Sequence, residues 1–153
     1  MKRLLVTLLM VLVLFYGVAF GASTVVQTNR QVNHDRVMVT LTVTAHTNGS
    51  VTSTAIDPTF DGIDLRDYDL YQVYVDPGAT APTPNYDVTL TDEDSIDLMK
   101  GQLANLHTST SEWRYPPVVS QPYPTTLTLN VANNSQNGAI TVLYLYFFKT
   151  RSN

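Results

Sequence analysis

The chain has 153 residues, 44% hydrophobic and 14% charged, with 7 Gly, 8 Pro and no Cys. A charged fraction well below the roughly 25% of ordinary soluble domains, filled in by Thr, Asn, Ser and Tyr, excludes a disordered chain, which is charge-rich and poor in aromatics. The absence of cysteine removes disulfide frameworks, Cys-ligated zinc, iron–sulfur clusters and thiol nucleophiles, and the length is that of one domain.

Residues 1–21 read as a secretory signal. Lys2 and Arg3 give a basic start, Leu4 to Phe15 is an apolar run interrupted only by Thr7, and Ala19-Phe20-Gly21 puts small residues where a signal peptidase reads. The competing expectation is a retained membrane anchor, because the apolar stretch from Leu4 to Ala22 approaches the length of a spanning helix. On either expectation an apolar helix precedes an exported domain. Removing Lys2 and Arg3 leaves 7 basic against 13 acidic residues, a net charge of −6. Such a chain is repelled by a phosphate backbone, so no nucleic-acid partner is expected.

From Ser23 onward the dominant signal is alternation, which places successive side chains on opposite faces of a strand. Residues 22–35 read as an N-terminal arm, 36–149 as the domain, and 150–153 as a short tail. Val37, Val39, Leu41, Val43 and Ala45 share one face of the first clear strand, and Thr40, Thr42 and Thr44 share the other. Asn48-Gly49 then predicts a tight hairpin turn returning through Val51 to Ile56. Tyr71, Val73 and Val75 alternate up to the turn Asp76-Pro77-Gly78. Tyr86, Val88 and Leu90 face one way, a turn spans Asp92 to Ser95, and Ile96 and Leu98 resume the apolar face. Leu98 to Leu106 is the one helical candidate, weakened by Gly101. Leu127, Leu129 and Val131 lead through Asn133 to Gly138 into a final strand, Ala139 to Phe148. Seven or eight strands separated by turn signals predict an all-β antiparallel sandwich of jelly-roll type.

The final strand differs from the others. Ile140, Val142, Tyr144 and Tyr146 fall on one face and Leu143, Leu145 and Phe147 on the other, so neither face is polar. A strand apolar on both sides is covered on both sides. Two covers are open: the Trp113 to Pro124 loop as a roof, or a second subunit. Tyr and Trp suit a subunit contact because each combines apolar area with a polar handle. The aromatic pool is Tyr71, Tyr74, Trp113, Tyr115, Tyr123, Tyr144 and Tyr146, and the interface candidates are Trp113, Tyr115, Tyr123, Leu143, Tyr144, Leu145 and Phe147. On the subunit alternative, Leu145→Asp abolishes assembly and leaves a folded monomer.

Residues able to carry chemistry are sparse. His34, His46 and His107 lack metal-ligand spacing, and no nucleophile elbow, zinc-protease motif or phosphate loop occurs. No catalytic residue is assigned and no enzyme is expected. Acidic residues gather at Asp57, Asp61, Asp64, Asp67 and Asp69, and again at Asp92, Glu93, Asp94 and Asp97. Asp92, Asp94 and Asp97 are calcium candidates, since calcium takes six to eight oxygens from flexible loops. The plainer alternative is that Asp caps its own turn. A carboxylate-pair glycosidase could draw on the same two clusters.

The stretch Pro84-Asn85-Tyr86-Asp87-Val88-Thr89-Leu90-Thr91-Asp92-Glu93-Asp94-Ser95-Ile96-Asp97-Leu98 resembles a strand–turn–strand of small β-rich virion proteins of tailed bacteriophages and prophages. The resemblance extends from about Arg36 to Phe148, with Leu127 to Tyr146 in the place of that group's closing hairpin. It departs at Ser95, where the group usually has Gly, and in the signal-like start. It implies a non-enzymatic particle subunit, such as a capsid decoration, head fibre or tail-associated protein. The partners implied are further copies of itself or other virion proteins in a homo-oligomer, with a membrane involved if the N-terminal segment is kept. The alternatives are a secreted carbohydrate-binding or adhesion module, with Trp113 and Tyr115 stacking on glycan and calcium in the Asp loops, and a pilus-like subunit donating Ala22 to Val32 to a neighbour.

Overall fold

The computed structural model describes residues 22–59, 62–118 and 121–149. The expected signal or anchor at residues 1–21, the expected tail at 150–153 and Asp61 lie outside them. The described residues form nine strands and no α-helix: β1 Thr24–Asn33, β2 Arg36–Thr44, β3 Thr54–Ile56, β4 Tyr68–Pro77, β5 Asp87–Thr91, β6 Glu112–Arg114, β7 Gln121–Pro122, β8 Leu127–Ala132 and β9 Ile140–Lys149. All pairings are antiparallel. One sheet runs β1-β2-β9-β4-β6, with β7 also on β4, and the second runs β3-β8-β5. The described residues are thus all-β, in two antiparallel sheets that enclose one core.

Alternation explains what lies between them. Val37, Val39, Leu41 and Val43 of β2, Leu70, Val73 and Val75 of β4, and Leu143, Leu145 and Phe147 of β9 point inward from the large sheet. Ile56, Val88, Leu90, Leu127 and Leu129 meet them from the small sheet. Each fully buried aliphatic or aromatic side chain contributes about 1.5–3 kcal/mol of transfer free energy, so this layer dominates stability.

Several expectations change. Thr24–Asn33 is not an arm: it pairs with β2 from Thr24 opposite Thr44 to Asn33 opposite Arg36. Asn48-Gly49 does turn the chain, with the His46 N–H donating to Ser50 O and the Gly49 N–H to His46 O, both at 2.8 Å. It joins no hairpin, however, because β2 lies in the large sheet and β3 pairs with β8 in the small one. The segment after β8 crosses between sheets in the same way, so β8 and β9 form no closing hairpin. In β4 a bulge between Leu70 and Gln72 throws Tyr71 out of phase with Val73 and Val75, so Leu70 takes the core place. Residues 98–106 form successive tight turns instead of a helix, with Lys100, Gly101 and Asn105 at positive φ. They still bury Met99, Leu103 and Leu106.

The two crossing loops are clasped together by Asn134. Its Oδ1 accepts from the Thr83 N–H (3.1 Å), the Thr83 hydroxyl (3.0 Å) and the Gln136 N–H (3.1 Å), and its Nδ2 donates to Gly49 O (2.8 Å). Gly49 sits at φ +82°, and a Cβ there would come within 2.4 Å of the Ser135 backbone. Gly49→Ala therefore meets both a strained φ and a backbone clash, and is expected to cost more than about 1 kcal/mol, read as a lowered urea midpoint at unchanged slope.

Candidate aromatic surface

The outer face of the large sheet is the feature that composition does not explain away. Opposed residues in an antiparallel pair share a face, so register assembles this surface. Met38 lies opposite Tyr146, Thr40 opposite Tyr144 and Thr42 opposite Val142 on the β2–β9 seam. Tyr74 lies opposite Tyr144 across β4–β9, and Trp113 opposite Tyr74 across β4–β6. The bulge at Tyr71 brings a further ring onto Tyr146 at 6.3 Å. Trp113 packs at 4.5 Å from Tyr74 and 5.6 Å from Tyr146, and Tyr74 at 5.8 Å from Tyr144. Five rings from three strands thus form one continuous cluster on the outside of the molecule.

The rings cover one another only in part. Trp113 is 48% exposed and Tyr115 56%, with Phe148 also exposed at the far end of β9. Tyr115 is held beside the cluster by Gln72, whose Nε2 donates to its hydroxyl at 3.1 Å. Successive planes are tilted by 44–61°, so the rings lean edge on face against each other, as ring quadrupoles favour. Burial raises the pKa of the Tyr146 phenol, with Tyr71 adding to the effect and Arg30 opposing it.

The other interface candidates fall elsewhere. Leu143, Leu145 and Phe147 are fully buried between the sheets, and Tyr123 is nearly so, its ring 5.9 Å from Phe147 and its hydroxyl donating to Ile56 O at 2.9 Å. No second molecule can reach these side chains while the fold is intact, so they are core residues. Trp113, Tyr115 and Tyr144 keep a place on the outer face. The cover over the second face of β9 is largely its own neighbours: the Trp113 segment forms β6 on the edge of β4 and adds one ring to the cluster, not a roof. The bulge brings Tyr71 to this surface against the alternation of β4, and register sets Tyr74 and Tyr146 beside it.

Four residues of the acidic clusters, Asp57, Asp64, Asp92 and Asp97, cap backbone N–H groups of nearby turns. Asp92 Oδ1 accepts from the Asp94 and Ile96 N–H groups at 3.0 and 2.8 Å, and Asp94 gives that turn its backbone N–H. Asp97 Oδ1 accepts from the Leu90 and Met99 N–H groups and its Oδ2 from Gly101 at 2.8 Å. Asp57 caps Thr59, and Asp64 caps Arg66 and pairs with its guanidinium, which lowers the Asp64 pKa. This is the usual local work of Asp. Among the described residues no group of three or more His, Cys, Asp or Glu side chains is placed to hold a metal ion. His34, His46 and His107 lie in three separate connections between strands.

The buried phenols make an alkaline prediction. Burial raises the pKa of Tyr86 and, more strongly, of Tyr123. Their neutral forms are favoured by the fold, while the unfolded chain ionises near pH 10. Stability from this source is present below about pH 10 and is lost as pH rises beyond it. Phenolate absorbance should therefore show a set of tyrosines that ionises only together with the loss of the circular-dichroism signal. Ionisation of every tyrosine near pH 10 with the fold intact would contradict it.

Compared with models of protein families, with curated proteins and with solved structures, the chain matches none of them.

Proposed function

We propose that the chain is a non-enzymatic structural subunit that works by packing its aromatic sheet face against another protein surface. The setting proposed is a particle of the tailed-bacteriophage type, with the chain as a capsid decoration, head-fibre or tail-associated subunit. The finer parts of the proposal are a jelly-roll-like sandwich, export through the N-terminal segment or anchoring by it, and assembly with further copies of itself. The observation that carries it is the five-ring cluster on the outside of the large sheet, flanked by exposed Tyr115 and Phe148. Aromatic side chains concentrate at the energetic centres of protein contacts. A contact so built depends little on net charge, in keeping with an acidic chain that associates with its own copies.

The second reading, a carbohydrate-binding module, draws on the exposure of Trp113 and Tyr115. Stacking on sugars needs ring faces left free. Trp113 instead packs on Tyr74 and Tyr146 at 4.5 and 5.6 Å, tilted by 48° and 44°, which leaves Tyr115 alone for such stacking. A pilus-like donor strand is disfavoured by β1, which pairs within its own sheet along its whole length.

Light scattering over a concentration series separates the first two readings. Mass that grows with concentration beyond a dimer supports the subunit. A monomer indifferent to concentration, combined with glycan-array binding abolished by a chelator, would replace it with the carbohydrate module.

A further inference from the structure

Three of the four sheet edges are short or covered. At the far side of the large sheet lie β6, three residues long, and β7, two residues ending in Pro122. In the small sheet β3 has three residues, and the edge of β5 is hydrogen-bonded by the 97–106 segment: Leu98 N–H to Leu90 O, Val88 N–H to Leu103 O and Leu106 N–H to Tyr86 O, at 2.8–2.9 Å. Natural sheets blunt their edges in these ways, or with Lys, Pro and bulges, because a bare edge is a template for another strand. β1 is different. It has ten residues with no Lys, Pro or acid, Arg30 is its one charge, and its bulge is confined to the hairpin end beyond Gln31.

Its sequence is also nearly the same read from either end: Val26-Gln27-Thr28-Asn29-Arg30-Gln31-Val32 has Val, Gln and Asn in mirror positions about Asn29. We propose that β1 pairs antiparallel with β1 of a second copy about a two-fold axis through Asn29, continuing the large sheet from one subunit into the next. A two-fold contact must be self-complementary, and this register is. It sets Val26, 56% exposed, against Val32 of the partner subunit, itself 47% exposed, and does so twice. Gln27 meets Gln31 of the partner subunit, and Asn29 meets Asn29 of the partner subunit. Arg30 faces Thr28 of the partner subunit, so the two guanidinium groups do not oppose each other. A foreign strand would require none of this mirror order. The side chain of Gln27 stays on the Asp57 peptide, donating to its O at 3.0 Å and accepting its N–H at 2.9 Å, which ties β1 to β3 and holds the edge in place. Because opposed residues share a face, both aromatic clusters come to lie on the same side of the joined sheet. The pairing rests on the edge alone and stands independently of what the aromatic face contacts.

The test uses charge at Thr28 in the full chain, read by sedimentation equilibrium with circular dichroism as the folding control. Thr28 is exposed on the outer face of β1, so neither change touches the core. Thr28→Glu places a carboxylate opposite Arg30 of the partner subunit at both ends and is expected to tighten the dimer about tenfold, whereas Thr28→Lys loosens it by a similar factor. Opposite movement of the two variants supports the register. A wild-type chain monomeric at all concentrations, or a dimer indifferent to both variants and dissolved only by Trp113→Asp, would overturn it. If the Lys variant does not fold, the Glu variant alone decides, and no tightening overturns the proposal.

Discussion

Leu145→Asp is expected to leave no folded protein. Leu145 is 0% exposed, held between Val39 on β2 and Val73 on β4 in the middle of the large sheet. Truncating such a leucine costs about 2–5 kcal/mol, and a carboxylate there adds the cost of burying an unpaired charge or of protonating it. Against a typical domain stability of about 5–15 kcal/mol the sum reaches the whole of it. Far-UV circular dichroism and urea denaturation give the readout, with Leu145→Met as the volume-conserving control that keeps the fold. A well-folded, monomeric Leu145→Asp protein would mean that this face of β9 is the interface after all, and that the two sheets do not enclose it.

Trp113→Asp is expected to do the opposite: to spare the fold and the edge-paired dimer and lose the assembly beyond the dimer. Trp113 lies on a three-residue edge strand, about half exposed, so its removal opens no core cavity. It is nevertheless a hub of the ring cluster, touching both Tyr74 and Tyr146. Central aromatic anchors at interfaces typically cost 2 kcal/mol or more when removed, roughly a thirtyfold rise in dissociation constant. Assembly beyond the dimer that survives Trp113→Asp unchanged would remove the aromatic face from the account.

The sequence made the strands legible and left their neighbours illegible, for a physical reason. Alternation is a local property, so spacing groups Val37, Val39, Leu41 and Val43 on one face and Val88 with Leu90 on another, and the structure buries both groups together with Leu127 and Leu129. Which strand lies beside which is set by contacts distant in sequence. Asn48-Gly49 makes the same turn whether it closes a hairpin or, as here, carries the chain from one sheet to the other. A bulge adds one residue with no composition signal, so the phase shift at Tyr71 was hidden. The final strand was rightly read as apolar on both faces, but only packing decides which face is sealed: Leu143, Leu145 and Phe147 are enclosed, and Tyr144 and Tyr146 look outward among other rings. The mirror order of β1 is present in the sequence. It acquires meaning because that segment is an edge strand of the large sheet among the described residues.

The chain has one tryptophan, and it stands on the aromatic face. Trp113 emission recorded alongside molar mass, across a concentration series of the wild-type chain, therefore asks directly whether that face is where subunits meet. Edge pairing through β1 leaves Trp113 in water, so the account predicts emission that moves to shorter wavelength as mass grows beyond the dimer. Growth in mass with emission fixed at its solvent-exposed position, or no growth beyond the dimer at any concentration, would contradict it.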